Sequence, residues 1–207
     1  MFHKLKELLV LTPLVLIKQR FLALEERHQL DHLTPAQRLD PEVALRLREE
    51  RNAKYERALR QQLRRYPRWR RGHLWLARVQ IISKQFNAAI LSGMAVQQIC
   101  KGGGTAHRDT TKGLTQAEVE AEIILGLCYN RLRAFKLSLK HLTRAQHAAQ
   151  TEVKLSQSLR VELLEELAAA YLGDNMKREA HAALVKIPPS NRNSSVEAML
   201  RFLAEGS

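Results

Sequence analysis

Cysteine, glycine, proline, aromatic side chains and carboxylates are all scarce in this chain of 207 residues. Two cysteines, Cys100 and Cys128, form no C-x-x-C pair. That excludes a disulfide framework and leaves two reduced thiols packed as small hydrophobes. Nine glycines and six prolines are too few for a collagen-like or Gly/Pro-rich disordered chain, and they argue against a turn-dense β-sandwich. Aromatics make up 5% of the chain, and runs of β-branched residues are few. Acids number 21 against 34 Lys and Arg, a net charge of +13. Apolar residues still reach 45%, enough for a core. The composition reads as one soluble, helical, basic domain, with or without an extension.

Long apolar runs are missing too. The most apolar stretch, residues 8–17, has ten residues, whereas a membrane-crossing helix needs about 20. Extending it would bury Lys18 and Arg20. No small-x-small site follows, so a cleaved leader is not expected. Three readings stay open for residues 1–24: a helix packing on the domain, a helix lying in an anionic membrane interface, or an uncleaved anchor.

Helix punctuation is what the sequence does have. Asp40-Pro41-Glu42 supplies an N-cap, a first-position proline and a first-turn acid. The helix it opens should run to Arg65, where Tyr66-Pro67 stops it. Helices are expected over 70–83 and 86–100, the latter ended by Gly102-Gly103-Gly104 in left-handed backbone. Residues 101–114 read as a polar, Gly-rich loop. Thr115-x-x-Glu118 is a capping-box spacing and opens a helix to Asn130. Further helices are expected over 133–149, 155–172 and 176–186, with Gly173-Asp174 as a stop and a cap. A second capping box, Ser194-x-x-Glu197, opens the last helix. No alternating strand is evident.

The helices carry an internal repeat. Leu125-Gly126-x-x-Tyr129 is followed by Ser138, Leu142 and Ala145; Leu167-Ala168-x-x-Tyr171 is followed by Ala180, Leu184 and Ile187, with Pro188 after it. Leu76-Ala77 is followed by Ala89, Gly93 and Val96. These offsets resemble the tetratricopeptide repeat over residues 70–188, with copies starting 49 and 42 residues apart. The resemblance implies an all-α fold: antiparallel helix hairpins in a right-handed array. It would cover residues 70–190 with a loop insert at 101–114. Residues 1–33 would form an apolar and basic N-terminal segment, 34–69 a basic helical extension, and 191–207 a C-terminal capping helix. The resemblance also implies that the first helix of each hairpin lines a groove for a peptide or helix of another protein. Carried over by offset, Arg71, Leu74, Arg78 and Ile81 line it from the first copy. Glu120, Ile123, Leu127, Asn130 and Arg131 do so from the second, and Glu162, Glu165 and Ala169 from the third. The Lys and Asn set with which chaperone-binding members hold a C-terminal carboxylate is missing.

No catalytic machinery is legible. His28 and His32 have zinc-ligand spacing but no clear third ligand, and are read as exposed histidines. The glycine triplet lacks the G-K-[ST] of a phosphate loop. No enzyme activity, metal or cofactor is expected. The strongest remaining signal is charge. Residues 46–71 hold ten Arg and one Lys against three Glu. Leu47, Tyr55, Leu59, Leu63 and Tyr66 make one face there, and Arg57, Arg60, Arg64 and Arg68 another. The second face reads as a solvated surface or a basic patch. The expected function is a non-catalytic adaptor or scaffold, cytoplasmic or peripheral to a membrane. Its partner is a protein or peptide, acidic where it meets the arginines. The alternatives are nucleic acid bound through 46–71 and a membrane-tethered assembly factor anchored by 1–24.

Overall fold

A computed structural model describes residues 41–102 and 113–205. The expectations for residues 1–40, including His28 and His32, and for most of the 101–114 insert lie outside the described residues. The chain divides into two compact units, 1–58 and 59–207. In the first, the described part is the opening of helix α1 (Pro41–Arg65), where Arg46 Nε lies 3.5 Å from Glu50 Oε1.

The second unit takes up the end of α1 and continues with α2 (Arg70–Ile82), α3 (Phe86–Lys101), α4 (Gln116–Arg131) and α5 (Phe135–Thr151). It closes with α6 (Gln157–Gly173), α7 (Lys177–Val185), a 3-10 turn (Pro189–Asn191) and α8 (Ser194–Glu205). Among the described residues there is no strand, and no helix is long and apolar enough to cross a membrane. The capping box forms as its sequence predicts: Glu118 N donates to Thr115 Oγ1, and Thr115 N donates to Glu118 Oε2 at 2.9 Å. The second capping box does not lead its helix. Asn193 is the cap instead, its Oδ1 accepting from Val196 N at 2.9 Å, since asparagine caps as well as serine.

Three helix pairs, α2–α3, α4–α5 and α6–α7, are joined by one and the same turn. Each contains a single left-handed residue: Lys84 (φ 58°), Arg133 (φ 58°) and Asn175 (φ 61°). Each stands seven positions after the small residue of its repeat, Ala77, Gly126 and Ala168. The hydrogen bonds also match. Lys84 N donates to Ile81 O and Gln85 N to Gln80 O; Arg133 N to Asn130 O and Ala134 N to Tyr129 O; Asn175 N to Leu172 O and Met176 N to Tyr171 O. This is the paired bonding of a Schellman cap, which satisfies the last carbonyls of the helix. The glycines at the ends of α3 and α6 are not left-handed. Gly102 has φ −87° rather than left-handed backbone, and Gly173 is the last residue of α6, where a Cβ would come within 2.3 Å of the Phe135 ring.

Packing follows the repeat. Ala77, Ala89, Ser138, Ala168 and Ala180 are fully buried, as are Val96, Leu142, Ala145, Leu184 and Ile187. One apolar cluster joins α2, α3 and α4 through Leu74, Ala77, Ala89, Ile124 and Leu125. A larger one runs from α4 to α8 through Ile123, Leu142, Leu167, Leu184 and Val196. Helix α4 serves both, which is why residues 121–128 are buried without interruption. At its centre Gly126 lies under Leu142: a Cβ built there would be 2.4 Å from Leu142 Cγ. The Gly126 carbonyl accepts from Ser138 Oγ at 2.8 Å.

That contact sets a sign. Gly126→Ala gains about 1 kcal/mol of helix propensity but forces an overlap with a fully buried leucine, which costs about 1–3 kcal/mol. The variant should therefore melt below wild type, and Gly126→Leu lower still. The midpoint of thermal unfolding, followed by circular dichroism, checks the order.

Candidate functional site: a charged face on the first helices

In the second unit, α4 packs on both α2 and α6, so the first helices of the three pairs are neighbours. Their side chains meet in two charged groups. In one, the Arg78 guanidinium on α2 pairs with both carboxylate oxygens of Glu162 on α6, Nη2 to Oε2 at 2.9 Å. The same guanidinium lies 3.8 Å from Glu120 Oε1 on α4. A single arginine thus ties three consecutive first helices. In the other group, Asn130 Nδ2 donates to Glu166 O and Glu166 Oε2, both at 2.8 Å, and Arg131 Nη2 donates to Glu166 Oε1 at 2.9 Å. Glu165 beside it accepts from Asn193 Nδ2 at 2.7 Å.

Half-burial governs the electrostatics here. Burial works against the charge of Arg78, but its paired bonds to Glu162, with help from Glu120, outweigh it and raise the guanidinium pKa. Burial lifts the Glu120 carboxyl above the usual range, Arg78 opposes this and Glu162 adds repulsion. Burial likewise lifts Glu166, against the pull of Asn130 and Arg131, and lifts Glu165 against Asn193. Beneath this face, burial pushes the Cys128 thiol up to about 12, which keeps it protonated.

The residues expected to line a groove divide into two sets. Arg71 is exposed, Arg78, Ile81, Glu120, Glu162, Glu165 and Ala169 are half-buried, and Arg131 is exposed above buried Asn130. Leu74, Ile123 and Leu127 are core residues. They lie at the right offsets, but Ile123 and Leu127 stand on α4, which two layers enclose, and Leu74 packs in the cluster that joins α2 to α4, so these side chains hold the helices together and reach no surface. Glu166, 7% exposed, carries none of the sequence signals used above. Its clue is that the matching positions of the other copies hold Trp75 and Ile124. Buried Glu122 was missed similarly. It is 1% exposed and accepts from His141 Nδ1 at 2.6 Å and Arg144 Nη1 at 2.8 Å, while the His141 ring stacks on Tyr129 at 5.3 Å.

Of the basic patch, Arg60 and Arg64 are exposed on the end of α1. Arg57, exposed in the first unit, turns its Nε back to Ala53 O at 3.3 Å. Arg68 departs from the expected helical stripe: α1 ends at Arg65, because Pro67 offers no N–H, and Arg68 sits in the turn to α2. Among the described residues no three His, Cys, Asp or Glu side chains are grouped to hold a metal ion.

Removing Arg78 leaves Glu120 and Glu162 facing one another half out of water. Arg78→Met should cost about 1–3 kcal/mol, below the range for a fully buried pair, read as a lower denaturation midpoint. Glu120 gives a pH test. A carboxyl raised in the folded state stabilises the fold below its unfolded range, and that contribution is lost as pH rises through the raised value. Glu120→Gln has no charge to desolvate, so it should gain on wild type between about pH 4 and pH 7. Parallel melting curves across that range would contradict the account.

No protein-family model, curated protein or solved structure gives a significant match to this chain.

Proposed function

We propose that residues 70–190 form a tetratricopeptide-like array of antiparallel helix hairpins, and that the chain is a non-catalytic scaffold. Its ligand is a peptide or helix of another protein, lying along α2, α4 and α6. One observation carries this reading: the turn with Lys84, Arg133 and Asn175 recurs three times in one register, at fixed distance from the small residues that the resemblance picks out. The repeated turn gives each pair the same internal geometry, and the packing of α4 on both α2 and α6 sets the first helices side by side as one face. On that face Arg71 and Arg131 are exposed, and Arg78, Glu120, Glu162 and Glu165 are half-exposed. Cations of the α2 end and carboxylates of the α6 end would orient a dipolar segment. The two free cysteines suit a reducing compartment such as the cytoplasm.

A library of displayed random 16-residue peptides, selected on the full chain, tests the reading. Enriched peptides should bind the wild type, lose about tenfold in affinity to the double variant Arg71→Glu/Glu165→Lys, and change little between low and moderate salt. Failure to enrich any sequence, or peptides indifferent to both charge reversals, would reject it.

A further inference from the structure

The net charge of this chain is not spread over it. From residue 59 to residue 102 there is no Asp or Glu at all, against seven Arg and two Lys. Residues 113–207 are nearly balanced, with eleven acids and twelve Lys or Arg. The end of α1, its turn to α2 and the whole first helix pair therefore lack a carboxylate of their own. Arg78 finds its counter-charges on α4 and α6. Arg64, Arg65 and Arg68 have no carboxylate within ion-pair distance among the described residues, and Arg70 reaches only Cys100 Sγ, at 3.6 Å.

These four arginines are all exposed and stand within seven consecutive positions, on a corner that other forces hold. His73 Nε2 lies 2.9 Å from Pro67 O, and Trp69 N donates to Tyr66 O at 3.1 Å. The Trp69 ring covers Gly72, where a Cβ would come within 2.1 Å of it, and meets Trp75 edge-on at 5.4 Å. Helix α2 starts with no side-chain cap and no acid in its first turn, so Arg70 sits at the positive end of a helix dipole. The corner is thus rigid, and its charges oppose one another instead of stabilising it. That is the profile of a surface whose counter-charge comes from outside.

We propose that this corner binds the phosphate backbone of single-stranded nucleic acid. Its cations are all Arg, whose planar forks match phosphate oxygens. Tyr66 and Trp69, both half-exposed, stand between them and offer ring surface to bases. A turn offers no rod to fill a duplex groove. A lipid surface would call for large exposed aliphatic side chains at the tip, and among the described residues these, Leu45, Ile82 and Leu91 included, lie outside positions 64–70. An acidic peptide has no use for the interleaved rings.

The test is fluorescence anisotropy of a labelled 20-nucleotide oligouridylate with the full chain over a salt series. Four phosphate contacts on a single strand give a log–log slope of about −3. Binding should also quench tryptophan emission. The triple variant Arg64→Gln/Arg65→Gln/Arg68→Gln should bind at least tenfold more weakly, with a slope shallower by about 2. A Lys136→Gln/Lys140→Gln control on α5 should match wild type. Circular dichroism confirms that the variants are folded, and Arg68→Gln alone, with a smaller loss in the same direction, serves if the triple variant is not. Absent or salt-independent binding overturns the proposal. So does a triple variant equal to wild type. Equal or tighter binding to a polyglutamate of the same length, or to phosphatidylserine vesicles, that the triple variant loses assigns the corner to an acidic protein or a membrane and overturns it too. The variants leave Arg71 and the carboxylates of α4 and α6 untouched, so the outcome is independent of the peptide face.

Discussion

The closeness of paired helices at their small residues is the constraint from which the rest follows. Gly126 lets Leu142 sit directly over the backbone of α4, and the Ser138 hydroxyl closes the remaining gap with a hydrogen bond. Ala77 with Ala89, and Ala168 with Ala180, are buried to the same degree in their own pairs. Because the approach is tight, the connection must be short. A Schellman cap with one left-handed residue meets that demand three times. None of the three left-handed residues is glycine, so the tertiary contacts across each pair must offset the cost of that backbone.

The close packing also sets the electrostatics. With α4 enclosed on two sides, charges beside it are partly stripped of water, and three of them are answered from another helix. Arg78 is answered by Glu162 and Glu120, Glu166 by Asn130 and Arg131, and Glu122 by His141 and Arg144. These pairs cost desolvation and are weak evidence of added stability. What they add is register: Arg78 reaches Glu162 only if three first helices stand in the right order. Among the described residues, arginines without a carboxylate partner gather at the corner between α1 and α2, where water screens them.

The helices could be read almost entirely from local chemistry. Pro67 and the Thr115–Glu118 box mark ends that involve only neighbours in sequence, and the structure keeps them within a residue or two. Other ends misled for an equally local reason. Glycine signals a left-handed stop, but Gly173 is kept small by the Phe135 ring, and the left-handed position falls on Asn175. Asn193 and Ser194 are both good caps, and sequence has no means to choose between adjacent ones. The face was legible as a set of offsets, and offsets do not separate Arg78, which reaches the surface, from Ile123, which a second layer covers.

By itself the sequence determined what depends on neighbours along the chain: an all-helical fold, the helix ends, the spacing of small residues, the lack of a disulfide framework and the concentration of arginine after residue 45. Only the tertiary structure decided which charges meet. Arg78 and Glu162 are 84 residues apart, and Asn130 and Glu166 are 36 apart. Such pairings depend on how one helix pair is rotated against the next, and that rotation is set by the summed packing of many side chains, which no single motif records.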